Sequence, residues 1–267
     1  MRIVVLIKQV PDMEKVKFDS ERGVVDRKSA GTEINPFDLN ALEAAVQIKE
    51  NLGAEVIALS MGPPSAESSL REAISRGADK GILLSDRKFG GSDCKATANT
   101  LAAGIKSIGE FDLILAGMQT VDGDTGQIGP WVAAVLDIPD ICFVEKINEV
   151  NKENITIATD IWDGVFIKKM RLPGLITVTK DVNFPRLPSF KDKMKARKAE
   201  IPTWGLEDLK DYLDESDTGT RGSGTIVKKI EVPAAVHREG KLWRDNLDNA
   251  MDEFLDIMID KKVLEVK

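Results

Sequence analysis

The stretch that decides the fold of this chain reads Gly117-Met118-Gln119-Thr120-Val121-Asp122-Gly123-Asp124-Thr125-Gly126-Gln127-Ile128-Gly129-Pro130. An apolar run at 111–116 precedes it and predicts a buried strand, and residues 131–136 after it predict a helix. Open α/β sheets bind ligands in such loops, between the carboxyl end of a strand and a helix. The glycines let the backbone approach a ligand, and amides at a helix start suit a phosphate. Asp122 and Asp124 suit ribose hydroxyls or backbone amides better, so the loop is not predicted to be a simple anion cradle.

Short apolar runs alternate with helical patterns on both sides of this loop. Strands are predicted at 2–7, 56–61, 80–84, 111–116 and 175–178. Helices are predicted from Asn35-Pro36 to Gly53, over 65–76 and over 94–108. This alternation predicts an α/β protein with a doubly wound parallel sheet, and we take the order of its five strands as 3-2-1-4-5. Three later segments, 141–150, 154–161 and 164–171, are expected to add antiparallel strands at the sheet edge, and residues 16–18 and 23–25 to form a small hairpin.

The chain is expected to divide into a nucleotide-binding domain at 1–217 and a C-terminal part at 218–267. The polar stretch 181–204 is interpreted as a loop, and the glycine-rich stretch 218–224 as a flexible linker. A strand-like piece follows at 226–232. The last helix, near 243–260, is predicted to carry one apolar stripe that either folds back or docks on another chain: Leu247, Met251, Phe254, Leu255, Met258 and Ile259.

Composition excludes several classes of function. The chain has 267 residues, of which 42% are apolar and 30% charged, with a net charge of −7, as in a soluble globular protein. That charge, with a single Tyr, gives neither the basic field nor the stacking surface expected for nucleic-acid binding. No apolar run is long enough for a transmembrane segment, and the N-terminal run is interpreted as a strand rather than a signal peptide. Cys94 and Cys142 are expected to be free thiols in a cytoplasmic protein.

The sequence lacks the equipment of a self-sufficient catalyst. His237 is the single histidine, which excludes nucleophilic triads and His-based metal sites. Neither a phosphate-binding P-loop nor a Gly-x-Gly-x-x-Gly turn follows the first strand, which ends in Lys8-Gln9-Val10-Pro11. Any reaction is therefore expected to depend on a bound cofactor. A ligase of the ATP-pyrophosphatase type is disfavoured, because the turn after strand one lacks the loop of such enzymes.

The predicted strand order brings several polar segments to one edge of the sheet. Strands one and four are neighbours in it, so the loops 8–12 and 117–127 are expected to face each other at the switch point. Residues 60–62 end strand two beside them, and Asp93 to Thr97 begin a helix nearby. This clustering predicts a nucleotide pocket.

The loop 117–130 resembles the nucleotide-binding loop of the β subunits of electron transfer flavoproteins, and the resemblance covers nearly the whole chain. Further matching segments are Lys8 to Asp12, Asn35-Pro36-Phe37, Gly62-Pro63, Arg76 to Asp79, Pro185-Arg186 and Met194 to Lys198. The resemblance implies an adenine nucleotide alpha hydrolase-like sheet with added antiparallel strands and a C-terminal arm. It also implies pairing with an α subunit that holds an FAD. The C-terminal arm is expected to wrap around that subunit.

The resemblance also assigns site residues. The implied cofactor-binding residues are Val10, Asn40, Ser60, Met61, Gly62, Asp93, Thr97, Gly117, Met118, Gln119, Thr120, Asp122, Gly123, Asp124, Thr125, Gly126 and Gln127. The implied partner-binding residues are Phe190, Met194, Lys195, Leu247, Met251, Phe254 and Met258.

The nucleotide is either AMP, as in simple electron carriers, or a second FAD, as in electron-bifurcating members that oxidise NADH. Met118 stands where AMP-binding members often have lysine, and Gly123 where they have an acid, which favours FAD. Residues 220–225 also resemble a stretch of bifurcating members. The resemblance then implies NAD(H) as substrate, an acyl-CoA or lactate type dehydrogenase as partner, and ferredoxin or flavodoxin as second acceptor. A carrier with AMP, and a non-redox adenine-nucleotide-binding regulator, stay open as alternatives.

Some positions depart from the family pattern. Thr159 stands where arginine is expected, and Phe166 where a glutamate is usual. Cys94 replaces a common threonine, and Phe190 lies near the usual leucine anchor for the dehydrogenase. A larger anchor predicts a differently shaped pocket on the partner.

Overall fold

The computed structural model describes residues 1–12, 17–19, 24–26, 31–226, 240, 242–244 and 247–264. The chain forms two compact units, Met1–Lys228 and Lys229–Lys267. The strands, all in the first unit, are β1 (Arg2–Leu6), β2 (Gln9–Pro11), β3 (Lys17–Asp19), β4 (Val24–Asp26), β5 (Thr32–Ile34), β6 (Glu55–Met61), β7 (Lys80–Leu84), β8 (Leu113–Gly117), β9 (Asp140–Val150), β10 (Asn154–Ile161), β11 (Gly164–Arg171), β12 (Gly174–Val178) and β13 (Thr203–Trp204). The helices are α1 (Pro36–Leu52), α2 (Glu67–Ser75), α3 (Cys94–Ile108), α4 (Ile128–Leu136), α5 (Phe190–Arg197), α6 (Gly219–Gly222) and α7 (Leu247–Asp260).

The central sheet confirms the predicted strand order. Its nine strands run β11-β10-β9-β12-β8-β1-β6-β7-β13. The five predicted strands correspond to β7, β6, β1, β8 and β12, which pair in parallel in the order 3-2-1-4-5. The predicted small hairpin also forms, as β3 paired antiparallel with β4. The switch point therefore lies between β1 and β8, where the glycine-rich loop was expected.

The strands added at the edge differ in part from the prediction. β10 pairs antiparallel with both β9 and β11, as expected. β9, however, pairs in parallel with β12. The reason is that α4 acts as a crossover helix, which carries the chain back so that β9 runs in the same direction as β8.

The core lies on both faces of the sheet, because successive residues of a strand point to opposite sides. In β1, Ile3 and Val5 belong to a buried cluster with α1 and α2, whereas Val4 belongs to a cluster with α3 and α4. Burial on both faces explains why these strands are continuous apolar runs rather than alternating ones. Each fully buried Leu or Ile stabilises the fold by about 1.5–3 kcal/mol relative to an exposed one.

The stretch 181–204 was predicted to be a loop, but it contains the helix α5 and the strand β13. Ser189 caps α5 by accepting a hydrogen bond from the Asp192 amide over 3.2 Å. β13 adds a short parallel edge strand beside β7. The helix has one buried residue, Ala196, so its sequence carries no apolar periodicity that would have predicted it.

The expected flexible linker at 218–224 is instead built into the first unit. Its residues form α6, and the Ser223 hydroxyl accepts from the Asp93 amide at 2.9 Å and donates to the Gly219 carbonyl at 2.7 Å. Gly219 has a positive φ of 59°, and a β-carbon there would lie 2.1 Å from the carbonyl oxygen of Lys88. The glycines therefore permit a tight turn and close packing rather than flexibility.

The second unit contains α7, which confirms the helix expected near 243–260. Its apolar stripe is exposed at Leu247, Met251, Phe254, Leu255 and Ile259. Trp243 packs edge-on against Phe254, with ring centroids 6.3 Å apart. Residues 227–232 of the strand-like piece, and His237, lie outside the described residues. Within the part of the chain that the structure describes, no helix combines the length and apolar character needed to cross a bilayer.

Candidate functional site

The candidate site lies at the edge of the sheet where β1, β6 and β8 end. Their carboxyl ends are adjacent because β1 lies between the other two strands. The loop after β8 runs from Met118 to Gln127, where α4 begins. Its predicted cofactor-binding residues are all at least partly accessible to solvent: Met118, Gln119, Thr120, Asp122, Gly123, Asp124, Thr125, Gly126 and Gln127.

Asp38, in the first turn of α1, joins the two strands that flank the switch point. Its Oδ2 accepts a hydrogen bond from the Lys8 amide over 2.8 Å, and its Oδ1 accepts one from the Gly117 amide over 3.1 Å. Asp38 is only 5% exposed. Burial raises the pKa of its carboxyl to about 7, although these two amides, the Asn35 side chain and the Lys8 ammonium oppose the shift.

Gly117 has a packing role that differs from the expected one. A β-carbon at this position would lie 2.5 Å from Asp38 Oδ1 and 2.6 Å from the β-carbon of Phe37. Its missing side chain therefore makes room for the start of α1. Gly123 is different, since the nearest atom to a β-carbon there would be Thr120 Oγ1 at 3.5 Å.

Asn35 holds the cofactor loop from the same helix start. It stands at the N-cap position of α1, before Pro36, but its side chain makes no capping hydrogen bond. Instead its amide nitrogen donates to the Gln119 carbonyl over 2.9 Å, and its oxygen accepts from the Val121 amide over 3.2 Å. The sequence predicted the N-cap position correctly but missed the use of the side chain.

Lys8 and Asp122 connect the two facing loops directly, which confirms that loops 8–12 and 117–127 meet. Lys8 Nζ lies 2.8 Å from Asp122 Oδ1. Burial by itself would raise the pKa of the Asp122 carboxyl, but the Lys8 ammonium and the Thr120 hydroxyl outweigh it and hold that pKa below its ordinary value. Asp122 is therefore ionised at neutral pH, and its charge is compensated within the site.

The second half of the loop presents open backbone amides. Asp124 and Gly126 have positive φ angles of 53° and 63°, and Gln127 follows in a right-handed helical conformation. Among the described residues, the amides of Gly123, Thr125, Gly126 and Gln127 have no hydrogen-bond acceptor. A left-handed residue followed by a right-handed one, as at Gly126 and Gln127, is the backbone pattern of anion-binding nests, and the start of α4 adds its dipole. Such an arrangement binds a phosphate group.

Further predicted residues border the loop. Cys94 Sγ lies 3.5 Å from Thr125 Oγ1, which places the start of α3 beside the loop, and Thr97 lies one turn further along this helix. Ser60 Oγ, at the end of β6, is buried and has no hydrogen-bond partner in the described ranges, so it retains bonding capacity at this edge. Met61 and Gly62 follow it and are half-buried.

Three predicted residues have side chains that the structure uses elsewhere. Asp93 caps α3, since Oδ1 accepts from the Ala96 amide and Oδ2 from the amide and hydroxyl of Thr225. The Asn40 side chain donates to the carbonyls of Lys180 and Asn183. Val10 is 1% exposed, within β2. The structure thus does not bring the Asn40 side chain to the cofactor loop.

The predicted partner-binding residues of α5 are accessible. Phe190 is 81% exposed, Met194 is 39% exposed, and Lys195 is exposed as well. Of the positions that depart from the family pattern, Phe166 is exposed on β11. Thr159 is fully buried on β10, and its hydroxyl has no partner within the described part of the chain.

Fold and loop together define the class of protein. It is a doubly wound α/β domain with an open, amide-rich loop at the topological switch point, the arrangement that holds nucleotides in such sheets. A family model described as the electron transfer flavoprotein domain matches residues 22–209.

Curated relatives match this chain over most of their length. The electron transfer flavoprotein subunit beta of Clostridium acetobutylicum is 43% identical over 229 residues, which is 86% of this chain and 87% of the relative. That of Thermoanaerobacterium thermosaccharolyticum is 37% identical over 265 residues, 99% of this chain and all of the relative (100%). The caffeyl-CoA reductase-Etf complex subunit CarD of Acetobacterium woodii is 46% identical over 236 residues, 88% and 89% of the two chains. The chain belongs to the electron transfer flavoprotein family, as a β subunit.

Proposed function

We propose that this β subunit holds an FAD in the cleft between loops 8–12 and 117–127 and works in flavin-based electron bifurcation. The observation that carries the proposal is the set of open amides at Gly123, Thr125, Gly126 and Gln127, beside an open position at Gly123. AMP-binding members have an acidic residue at this position, whereas here a β-carbon would meet no atom closer than 3.5 Å. The glycine leaves open space at this position, which favours the larger of the two nucleotides.

The residues of this chain bind and orient the nucleotide. The amides of Gly123, Thr125, Gly126 and Gln127 hold the pyrophosphate, and Asp122 and Asp124 accept hydrogen bonds from ribose or ribityl hydroxyls. Lys8 keeps Asp122 in place and offsets its charge near the phosphates. A bound FAD would supply the acceptor for a hydride from NADH, so the chain would need no acid or base of its own.

The proposed path leads to other proteins. Of the two electrons from NADH, one would reach the FAD of the α subunit and then a partner dehydrogenase of the acyl-CoA or lactate type, and the other would go to ferredoxin or flavodoxin as second acceptor. The Acetobacterium woodii relative is named as a subunit of a caffeyl-CoA reductase-Etf complex, which supports an assembly with a CoA-linked oxidoreductase here. The cytoplasm is the proposed location.

An anaerobic NADH titration of the heterodimer, co-expressed with its α subunit, tests the proposal. NADH should bleach the flavin absorption of the wild type. The double variant Asp122→Ala with Asp124→Ala should lose the flavin of this chain and the bleaching, but still form a heterodimer. Asp160→Ala with Asp163→Ala removes the same charge from exposed positions on the β10–β11 hairpin and should behave as wild type. A yellow heterodimer that NADH does not bleach would support the carrier with AMP, and a colourless one the non-redox regulator.

A further inference from the structure

Residues 183–199, here called the docking loop, have large apolar side chains that are exposed to solvent. Phe184 is 97% exposed, Leu187 85% and Phe190 81%. Grouped exposed side chains of this kind mark a protein interaction surface. An exposed apolar loop on a soluble chain is usually loosely held, which makes its attachment to the rest of the molecule informative.

Ion pairs and hydrogen bonds of Arg186 hold the backbone near the start of the docking loop in place. Arg186 Nε lies 2.8 Å from Glu43 Oε2, and its Nη1 lies 2.5 Å from Glu50 Oε1. The Arg186 amide also donates to Glu43 Oε2, and the Arg186 carbonyl accepts from Arg76 Nη1 over 2.7 Å. Arg186 is thus bonded through its side chain and amide to α1, and through its carbonyl to the residue that follows α2.

The carboxylate of Glu43 makes this fastening strong. Glu43 is only 5% exposed, and its Oε1 accepts from Arg186 Nη2 and from Gln47 Nε2. Burial alone would raise the pKa of Glu43, but the hydrogen bonds from Arg186 and Gln47 hold it below its ordinary value. The buried carboxylate therefore stays ionised, and Arg186 is held in a bidentate geometry that lysine cannot reproduce.

The far end of the loop is fastened by a second arginine. Arg71 Nη1 donates to the carbonyls of Ala196, Arg197 and Ala199, at 3.0, 3.1 and 3.0 Å, where α5 ends. Glu67 holds the same guanidinium from one helical turn earlier. Both ends of the segment that carries Leu187 and Phe190 are therefore fixed, while the apolar side chains stay free. Such a surface is preorganised and loses little conformational entropy when it binds.

The charge around the apolar side chains indicates the kind of partner. α5 has four basic residues and one acid, in a chain whose net charge is −7. We propose that Arg186, bonded to Glu43 and Glu50, is a positioning residue that presents Phe184, Leu187 and Phe190 to an apolar pocket rimmed by carboxylates on the partner dehydrogenase. This inference rests on the proposed function for the identity of the partner, but the positioning by Arg186 does not depend on the nucleotide.

Two variants of the full heterodimer test the role of Arg186. Arg186→Lys keeps the positive charge but loses the bidentate hydrogen bonding of the guanidinium. The double variant Glu43→Gln with Arg186→Gln removes both charges and leaves no buried carboxylate unpaired at position 43. Arg171→Lys, at an exposed arginine on β11, is the matched control. Both test variants should speed hydrogen–deuterium exchange of the amides at 184–199. With acyl-CoA dehydrogenase and lactate dehydrogenase from the same organism as acceptors, they should raise the KM for the heterodimer about tenfold and leave kcat nearly unchanged.

The outcomes separate this inference from the proposed function. Nucleotide content and α-subunit affinity should stay at the wild-type level in all variants, and added salt should raise KM because basic and acidic surfaces are screened. Unchanged exchange and unchanged KM in both test variants would overturn the positioning role. A wild type that reduces neither dehydrogenase would contradict the proposed partner, while the exchange rates would still decide whether Arg186 orders the loop.

Discussion

Asp38 and Gly117 are in direct contact at the switch point of the sheet: the Gly117 amide donates to Asp38 Oδ1 over 3.1 Å, and a β-carbon on Gly117 would lie 2.5 Å from that same oxygen. This contact fixes the start of α1 against the end of β8. Since Asn35 and Asp38 of that helix start also bond to the loops after β8 and β1, the shape of the cleft depends on it.

Gly117→Ala should therefore destabilise the protein. The added methyl group would press on the backbone of Phe37, at 2.8 Å, and on Asp38, so we expect a loss of about 1–3 kcal/mol in the free energy of unfolding, measured in urea. Gly123→Ala is the control in the same loop, because its methyl group meets no atom closer than 3.5 Å. Equal stability of the two variants would contradict the packing role of Gly117.

Asp38→Asn should change how stability depends on pH. Because the pKa of Asp38 rises from 3.8 unfolded to about 7 folded, the folded state binds the extra proton. Its contribution is present at low pH and is lost as pH rises from about 4 to about 7, by up to about 4 kcal/mol. The asparagine variant lacks this loss, so the stability of wild type relative to the variant should fall between about pH 4 and about pH 7. Parallel pH–stability curves of the two proteins, measured by urea unfolding, would show that Asp38 titrates normally.

Asn35→Ala should loosen the cofactor loop. The variant loses the hydrogen bonds to Gln119 and Val121, so the dissociation rate of the nucleotide should rise about tenfold, as measured by its release from the purified heterodimer. Asn151→Ala is the matched control, since that side chain accepts from the amides of Glu153 and Asn154 in the distant β9–β10 turn. If both variants release nucleotide at the wild-type rate, Asn35 has no part in holding the loop.

The exposed stripe of α7 should contribute to pairing with the α subunit. Met251→Ser with Leu255→Ser removes two apolar side chains, which are 59% and 41% exposed in this chain. Burying such side chains in an interface contributes about 1.5–3 kcal/mol each, so the dissociation constant of the heterodimer should rise at least about tenfold. Asp252→Ser with Asp256→Ser alters the same helix outside the stripe and should leave that constant unchanged. The deletion of 243–267 should have the larger effect; quantitative co-purification of the deleted chain with its α subunit would show that the arm is dispensable.

Much of this fold could be predicted because local patterns and global topology agree. Apolar runs that alternate with helical patterns predicted the parallel sheet, and one glycine-rich loop located the switch point once the strand order 3-2-1-4-5 was assumed. α5 could not be predicted, because Arg71 and Ser189 hold a polar helix without an apolar face. Glycines at 219 and 222 predicted flexibility, whereas contacts with distant residues, such as Lys88, require them for close packing.

The location of the candidate site was predicted better than the contacts of its side chains. The facing loops are where the strand order placed them, but the sequence gives no sign of which side chains bond across the cleft. Asn35 and Asp38 were missed because a helix start with asparagine, proline and an acid is explained by capping alone. Their distant partners, Gln119, Val121 and Gly117, become visible only in three dimensions. The roles of the predicted cofactor-binding residues stay predictions.

Nucleotide quantification tests the central claim most directly. The purified heterodimer of this chain and its α subunit is denatured, and the released FAD and AMP are separated and quantified per heterodimer. We predict two FAD and no AMP, one FAD coming from the cleft beside Asp122. One FAD with one AMP would contradict the claim that this cleft holds a flavin, and one FAD with no second nucleotide would contradict the cleft itself.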